Sequence, residues 1–382
     1  MKFLHLSDLH IGLRLLGRDL REDQEWILSE IVREAGREQP DAVVIAGDLY
    51  DKAVPSAEAV EVFDGFVSGL AEACPQAELM MISGNHDSAS RIDLFRQVLR
   101  SHRIHMIGKP PQKPEEHIEC VTLEDGYGPV HFRLLPFVRP SMVREIVGVH
   151  ENGTSLSYDE SLRRLLAREE IDRSARNVLV SHQFYLPVGA DPESVERMDS
   201  EIVSVGNLDA VRADVLEPFD YAALGHIHKP MCVGSETRRY CGTPFACSVS
   251  EAGQRKGILA VELREKGNVS VRTIPLTPLR EVRVVRGPLA EVLAQGSEDL
   301  VTVVLTDPVE WDVLDMQDRV RNAFPNLLEI RRELPGREDA GDVLPAEPEL
   351  DIFTQCCQFL GETDEETRAL LREVIDTVRE VG

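Results

Sequence analysis

Five short apolar runs each break off in residues of the types that ligate metal ions, and this pattern constrains the fold more than any other feature of the chain. KFLHLSDLH runs into Asp8 and His10, DAVVIAGDLYD into Asp48 and Asp51, and ELMMISGNHD into Asn85, His86 and Asp87. NVLVSH runs into His182, and DYAALGHIH into His226 and His228. A short apolar run without alternation reads as a strand buried on both faces, as in a parallel sheet covered by helices. Helical spacing intervenes: Trp26, Ile27, Ile31 and Val32 within 22–36, then Val60, Phe63, Phe66, Val67 and Leu70 within 56–73, after Pro55 at a helix start. Strand–helix alternation predicts a layered α/β domain, and loops at the carboxyl ends of such strands open onto one crevice. Motifs far apart in sequence are therefore expected to meet in space.

The rest of the chain divides by pattern. HIECVTLEDGYGPVHFRLLPF alternates and turns at Gly126–Gly128, which predicts a hairpin, and strand-like runs continue to a first-domain boundary near residue 276. Residues 277–335 read strand, helix, strand, helix, strand, a small α/β unit. Residues 336–350 are rich in Pro, Gly and acids and read as a linker. Residues 351–382 read as two amphipathic helices broken at Gly361, with Thr363 and Glu366 forming a capping box for the second. A pair this short buries its apolar stripes poorly alone, which points to a partner surface.

Composition narrows the function classes. A chain of 382 residues with 42% hydrophobic and 29% charged content reads as a soluble protein of more than one core. No apolar run reaches the length of a membrane span, and MKFLHLSDLH is not a secretory signal. Seven scattered cysteines without a CxxC predict reduced cytoplasmic thiols and no structural zinc. The formal net charge of −25 argues against a nucleic-acid-binding face over the whole surface. Any nucleic-acid contact would then rest on local basic patches and on a partner subunit, and would weaken with salt; the arginines at 238–239 and 331–332 read equally as such a patch or as solvated surface.

The collected strand-end residues are Asp8, His10, Asp48, Asn85, His86, His182, His226 and His228. Carboxylate, imidazole and amide donors without thiolate suit Mn²⁺, Fe²⁺ or Zn²⁺. The D-x-H and H-x-H spacings set alternate side chains on one side of an extended segment. Asp48, in the tight GD turn, is placed to bridge two ions, the usual device for phosphoester hydrolysis at a spacing of ~3.5–4 Å. His86, one residue past Asn85, is expected to point away from the ligands and to protonate the leaving oxygen. His5, inside the first strand, reads as core, and His102, His105, His117, His131 and His150 as surface or sheet-edge residues. The stretch GLRLLGRDLRED, with Leu13, Leu15 and Leu16, reads as an exposed apolar patch beside the first motif.

The ordered set SDLH, GDLYD, GNHD, SH and GHIH resembles the calcineurin-like metallophosphoesterase superfamily. The chain is similar in particular to the branch of bacterial SbcD nuclease subunits, which partner the SbcC ATPase. That likeness lies in LHLSDLHIGLRLLGRDLREDQEWIL (with Gly12, Leu16, Gly17 and Gln24), GDLYDKAVPSAEAV, GNHDSASRI, LPFVRP and YCGTP, and in the second α/β unit and the final helix pair. It implies an α/β fold: a layered metallophosphoesterase β-sandwich flanked by helices over 1–276, a capping, DNA-binding domain over 277–335, an acidic linker over 336–350 and a partner-binding helix pair over 351–382. It also implies a nuclease dependent on two Mn²⁺ ions, acting as exonuclease and endonuclease on double-stranded DNA ends and hairpins. The protein would be a homodimer in the cytoplasm at the nucleoid, with no membrane contact, and would hold an SbcC-type ATPase through 351–382. By the same resemblance Asp8, His10, Asp48 and His228 hold one ion, and Asp48, Asn85, His182 and His226 the other. His86 is catalytic, and Asp51 orients ligands or the loop.

The rival readings are a binuclear-metal phosphatase or cyclic nucleotide phosphodiesterase of the same superfamily, and a non-catalytic assembly scaffold. Protein phosphatases carry GDxxDRG and GNHE, where this chain has GDLYDK and GNHDS, with Lys52 in place of the phosphate-clamping arginine. A scaffold would be expected to have lost a ligand, and none is missing.

Overall fold

The structure, a computed structural model, describes residues 1–191, 198–201, 209–307 and 313–333. The acidic linker and the final helix pair, residues 336–382, lie outside the described residues.

Two six-stranded sheets carry the first 275 residues. In one, Lys2–Leu6, Ala42–Ala46, Glu78–Ile82 and Ile104–Ile107 run parallel, and Gly257–Leu263 and Val269–Pro275 extend it antiparallel beside Lys2–Leu6. In the other, Arg238–Tyr240, Tyr221–Gly225, Arg176–His182 and Gly128–Leu135 run parallel between the short edge strand Met231–Cys232 and the hairpin strand Glu119–Asp125.

Strand periodicity builds three layers of core. Phe3, Val44, Ala46, Met80 and Ile82 point inward and meet Phe132, Val178, Val180, Tyr221 and Ala223 of the opposite sheet. Phe3 packs edge-on against Phe132 and Tyr221, with ring centroids 5.3 and 5.5 Å apart. The alternate residues Leu4, Leu6, Val43, Ile45, Leu79 and Met81 face outward into a core with the helices Arg21–Glu38 and Ala57–Ala73. On the other side Leu179, Ala222 and Leu224 pack with Val143, Leu162 and Leu165 of the helices Pro140–Val147 and Tyr158–Ala167. Each central strand is thus buried on both faces, which is why its sequence is a continuous apolar run. His5 sits in the intersheet layer, bonded to the Tyr221 hydroxyl and the Leu224 carbonyl, and burial pushes its pKa down to about 3, so it is a neutral core residue.

Some helix-face residues lie elsewhere than periodicity alone places them. Trp26 is 41% exposed, and the buried stripe of its helix runs through Ile27, Leu28, Ile31 and Ala35. Its indole nitrogen donates to the Thr277 carbonyl instead (3.0 Å). The second helix starts from Ser56, which caps the Ala59 N–H, and leaves Val60 outside. Leu13 and Leu15 do not form the exposed patch expected of them. The short antiparallel pair Arg14–Leu15 and Arg18–Asp19 turns back at Gly17 and carries Leu15 into the core, with Leu13 against it, so that Leu16 alone of the three is largely exposed. His105 is buried at the sheet edge and paired with Glu78.

The strands Val282–Gly287, Leu300–Leu305 and Leu327–Arg332 form a parallel sheet in that order, with the helices Leu289–Leu293 and Val313–Ala323 between them. Val285, Val292, Val301, Val303, Val320 and Phe324 make its own core. Val282 and Leu300 instead join the core beneath the helix Arg21–Glu38, and Arg280 holds Asp23 at the start of that helix (2.6 and 2.8 Å).

Candidate metal centre

The carboxyl ends of five strands, three from one sheet and two from the other, deliver the ligand-type residues to one end of the sandwich. Eight non-glycine residues among those described have positive φ, and four of them are Asp8, His10, Asp48 and His226. Such backbone is strained for these residues, and its concentration here marks the site. The site's own hydrogen bonds hold it. Asp8 N–H donates to Gly47 O (2.9 Å), His10 N–H to Asp48 O (3.0 Å), His86 N–H to Asp48 Oδ1 (2.8 Å) and His226 N–H to Asp8 Oδ1 (3.0 Å). Gln24 clamps the first loop from the helix, donating to His10 O (2.7 Å) and accepting from Gly12 N (2.9 Å).

Glycines precede three of the ligands, Asp48, Asn85 and His226, because neighbouring atoms fill the space a Cβ would take. A Cβ on Gly47, at φ 93°, would stand 2.3 Å from His182 Nδ1, and one on Gly84 would stand 2.1 Å from Asp48 Oδ1. The GD and GN pairs are thus consequences of how tightly the site closes.

Two clusters share Asp48. His10 Nε2 faces His228 Nε2 at 3.1 Å and Asp48 Oδ2 at 3.8 Å, and Asp8, His10 and His228 each place a ligand atom within 4.8 Å of the others. On the other side His182 Nε2 lies 3.2 Å from Asp48 Oδ2 and 2.9 Å from Asn85 Oδ1, and His226 Nδ1 lies 2.8 Å from the same Asn85 oxygen. His182 Nδ1 is turned to the Ala46 carbonyl (2.7 Å), which leaves Nε2 to face the cluster. All seven expected ligands are therefore gathered, and all but Asn85 are buried.

Electrostatics agree with a cation-binding set. Burial pushes the Asp8 carboxyl up to about 6. Burial would do the same to Asp48, but the imidazoles of His182, His10 and His86 hold it well below the usual carboxylate range. Burial works against a charged His182, and Asp48 overrides it, raising that imidazole to about 9. Buried carboxylates that draw positive charge this strongly, among imidazole and amide donors, fit divalent ions of intermediate softness.

His86 stands differently from its sequence expectation. Its ring does not point away: it packs at right angles to His10, centroids 4.8 Å apart, and shares a 4.8 Å cluster with His10 and Asp48. The hydrogen bond from its backbone to Asp48 turns the loop back on the site, and Nδ1 bonds the Asp51 carbonyl (2.9 Å). The Asp51 carboxylate lies 3.8 Å from His10 Nδ1.

Sequence reasoning passed over four contributors. Asp87 accepts the backbone N–H groups of Leu49, Tyr50 and Gly84 (2.9–3.0 Å), tying the GDLYD and GNHD loops together, and its place in GNHD was the available signal. Ser200, Glu251 and Lys256 surround His228 and carry no local signal at all. The arginines 238, 239 and 331 make contacts within the chain, to Ala213 O, Glu236 and Glu329.

Residues 1–230 match the family model described as calcineurin-like phosphoesterase. Residues 278–359 match SbcD_C, described as the type 5 capsule protein repressor C-terminal domain. The chain is 28% identical over 338 residues to the D subunit of the SbcCD nuclease of Staphylococcus epidermidis, covering 86% of this chain and 85% of that one. Among solved structures, a dimetal phosphatase from Danio rerio aligns over 74% of this chain and 99% of its own at 14% identity, TM-score 0.40. A Thermus thermophilus protein, TT1561, aligns over 71% and 98% at 14% identity, TM-score 0.40. No helix among the described residues is long and apolar enough to cross a membrane.

Proposed function

The chain belongs to the calcineurin-like phosphoesterase family, and on that premise we propose that it is a metal-dependent DNA nuclease, the SbcD-type subunit of a complex with an SbcC-type ATPase. The observation that carries the reading is the gathering of seven ligand-type side chains in two clusters that share Asp48, together with the SbcD_C match beyond them. Asp8, His10, Asp48 and His228 hold one Mn²⁺, Asp48, Asn85, His182 and His226 the other. When bound, such a pair lowers the pKa of water and neutralises charge on phosphoryl oxygens. The chain's own part is to orient the donors, to close the site to bulk water on its buried side, and to supply a proton from His86. Asp51 positions His10 and His86 through its carboxylate and its carbonyl.

A groove of about 590 Å³ opens beside the GDLYD loop, where Arg14, Arg21 and Lys52 stand among Asp19, Asp51 and Glu58, so phosphate contact there would rest on those three basic side chains against an equal number of acids. The substrate is double-stranded DNA, cut at ends and hairpins, in DNA repair and recombination at the nucleoid in the cytoplasm. Residues 351–382 take the ATPase, since their apolar stripes at helical spacing need a surface to cover them. A second copy covers Leu94, Phe95 and Val98, which are 59–69% exposed just past the His86 loop. Loss of ATPase co-purification on deleting 351–382, and a dimeric sedimentation mass for the full chain, are the expected results.

The test of activity sets linear duplex and hairpin DNA against p-nitrophenyl phosphate. With Mn²⁺ the protein is expected to release nucleotides and open hairpins, and to stop when the metal is chelated. Efficient p-nitrophenyl phosphate hydrolysis with intact DNA would favour the phosphatase reading.

A further inference from the structure

We propose that Glu251, acting through Ser200, is the positioning residue that sets the ring orientation and tautomer of His228. This rests on the reading of His228 as a metal ligand. Glu251 is 1% exposed and lies on the short turn Val249–Glu251. One carboxylate oxygen accepts from Ser200 Oγ (2.8 Å) and stands 3.3 Å from His228 Nδ1. The other accepts from Thr243 Oγ1 (2.9 Å) and Lys256 Nζ (2.6 Å). Ser200 Oγ in turn lies 2.7 Å from His228 Nδ1.

The direction of these bonds follows from what each group can do. A carboxylate only accepts, so Ser200 spends its one proton on Glu251. Its oxygen must then accept from His228, and the proton sits on Nδ1. Nε2 is left with a free lone pair, and it is Nε2 that faces His10 and Asp8 across the cluster. A neutral serine beside the ring would allow either tautomer, and it is the carboxylate behind it that selects one. Lys256, itself buried, also donates to His228 O (3.2 Å), while Glu201 Oε1 accepts from His228 N–H (2.9 Å). Main chain and ring of His228 are therefore fixed by one network. His182 obtains the same outcome from a backbone carbonyl.

The test uses the full chain, freed of metal and titrated with Mn²⁺ by calorimetry, with elemental analysis of the loaded protein. Removing Glu251 alone would strand a buried Lys256 charge, so the main variant is the charge-balanced pair Glu251→Gln with Lys256→Met. Ser200→Ala is the variant least able to disturb folding, and thermal melting reports the fold of each. The expected result is one equivalent bound roughly 10–100-fold more weakly in both variants, the other equivalent unchanged. His228→Ala should weaken that same equivalent. Wild-type affinity at both sites in the folded double variant overturns the proposal. So does equal weakening of both equivalents, which is what a purely structural ion pair would produce. Should the double variant fail to fold, wild-type affinity in Ser200→Ala overturns it. If His228→Ala itself keeps both equivalents, the ligand assignment falls and this inference with it.

Discussion

His86→Ala is expected to lower DNA cleavage by roughly 10²–10⁴-fold while both Mn²⁺ equivalents and the affinity for DNA are retained. The size is that of a positioned acid protonating a leaving alkoxide. The geometry suits the role. Nδ1 donates to the Asp51 carbonyl, so Nε2 is the nitrogen left for the leaving oxygen, the imidazolium being the form that can give it a proton, and the ring is partly exposed. The His10 ring stands against one side of it and limits its rotation. Its nearness to His10 and Asp48 sets up the competing role, that of an additional ligand, and metal analysis separates the two. An acid leaves the metal count at two and reduces turnover. A ligand takes an equivalent with it, and that result would remove the acid assignment, as would a variant that cuts at the wild-type rate.

What could be read in advance follows from where each determinant lies along the chain. The ligands sit directly at strand ends, so an apolar run followed by GD, GN or GH declares both the strand and its function. The glycines are readable because the site is so crowded that His182 and Asp48 occupy their missing side chains. The layered sheet was legible in the unbroken apolar runs, since a strand covered on both faces has no polar side to show. The orientation of His86 was not legible. Residue-by-residue alternation assumes an extended segment, and the loop bends where His86 N–H reaches back to Asp48. Glu251 was hidden for another reason: it meets His228 from 23 residues away, across a buried network with no spacing rule of its own. Trp26 and Leu15 depend on lateral packing, one at the Thr277 carbonyl and one in a small turn, and helical or apolar periodicity carries no information about either.

Asp48→Ala is expected to abolish cleavage and to reduce Mn²⁺ retention below one full equivalent, a larger loss than that of His228→Ala, which should weaken one ion alone. Asp48 is 1% exposed, and one of its oxygens stands between the two imidazole groups, 3.2 Å from His182 Nε2 and 3.8 Å from His10 Nε2. The other oxygen receives His86 N–H, so the carboxylate also holds the loop that carries Asn85 and His86. Truncation therefore removes a donor from both clusters and loosens a third segment at once. A second consequence appears without metal. Asp48 raises His182 from 6.5 to about 9, against the effect of burial. A raised pKa stabilises the fold while the imidazole is protonated. That contribution is complete below pH 6.5 and is lost as pH rises through about 9. In Asp48→Ala the main influences holding His182 protonated are gone and only Asp8 and the Ala46 carbonyl remain against burial, so the difference in melting temperature between the metal-free wild type and the variant should narrow between pH 6.5 and about 9. Elemental analysis after Mn²⁺ loading reads the first effect and a pH series of thermal melts the second. Two equivalents retained by the variant would remove Asp48 from its place between the ions, and a pH-independent difference would separate His182 from Asp48.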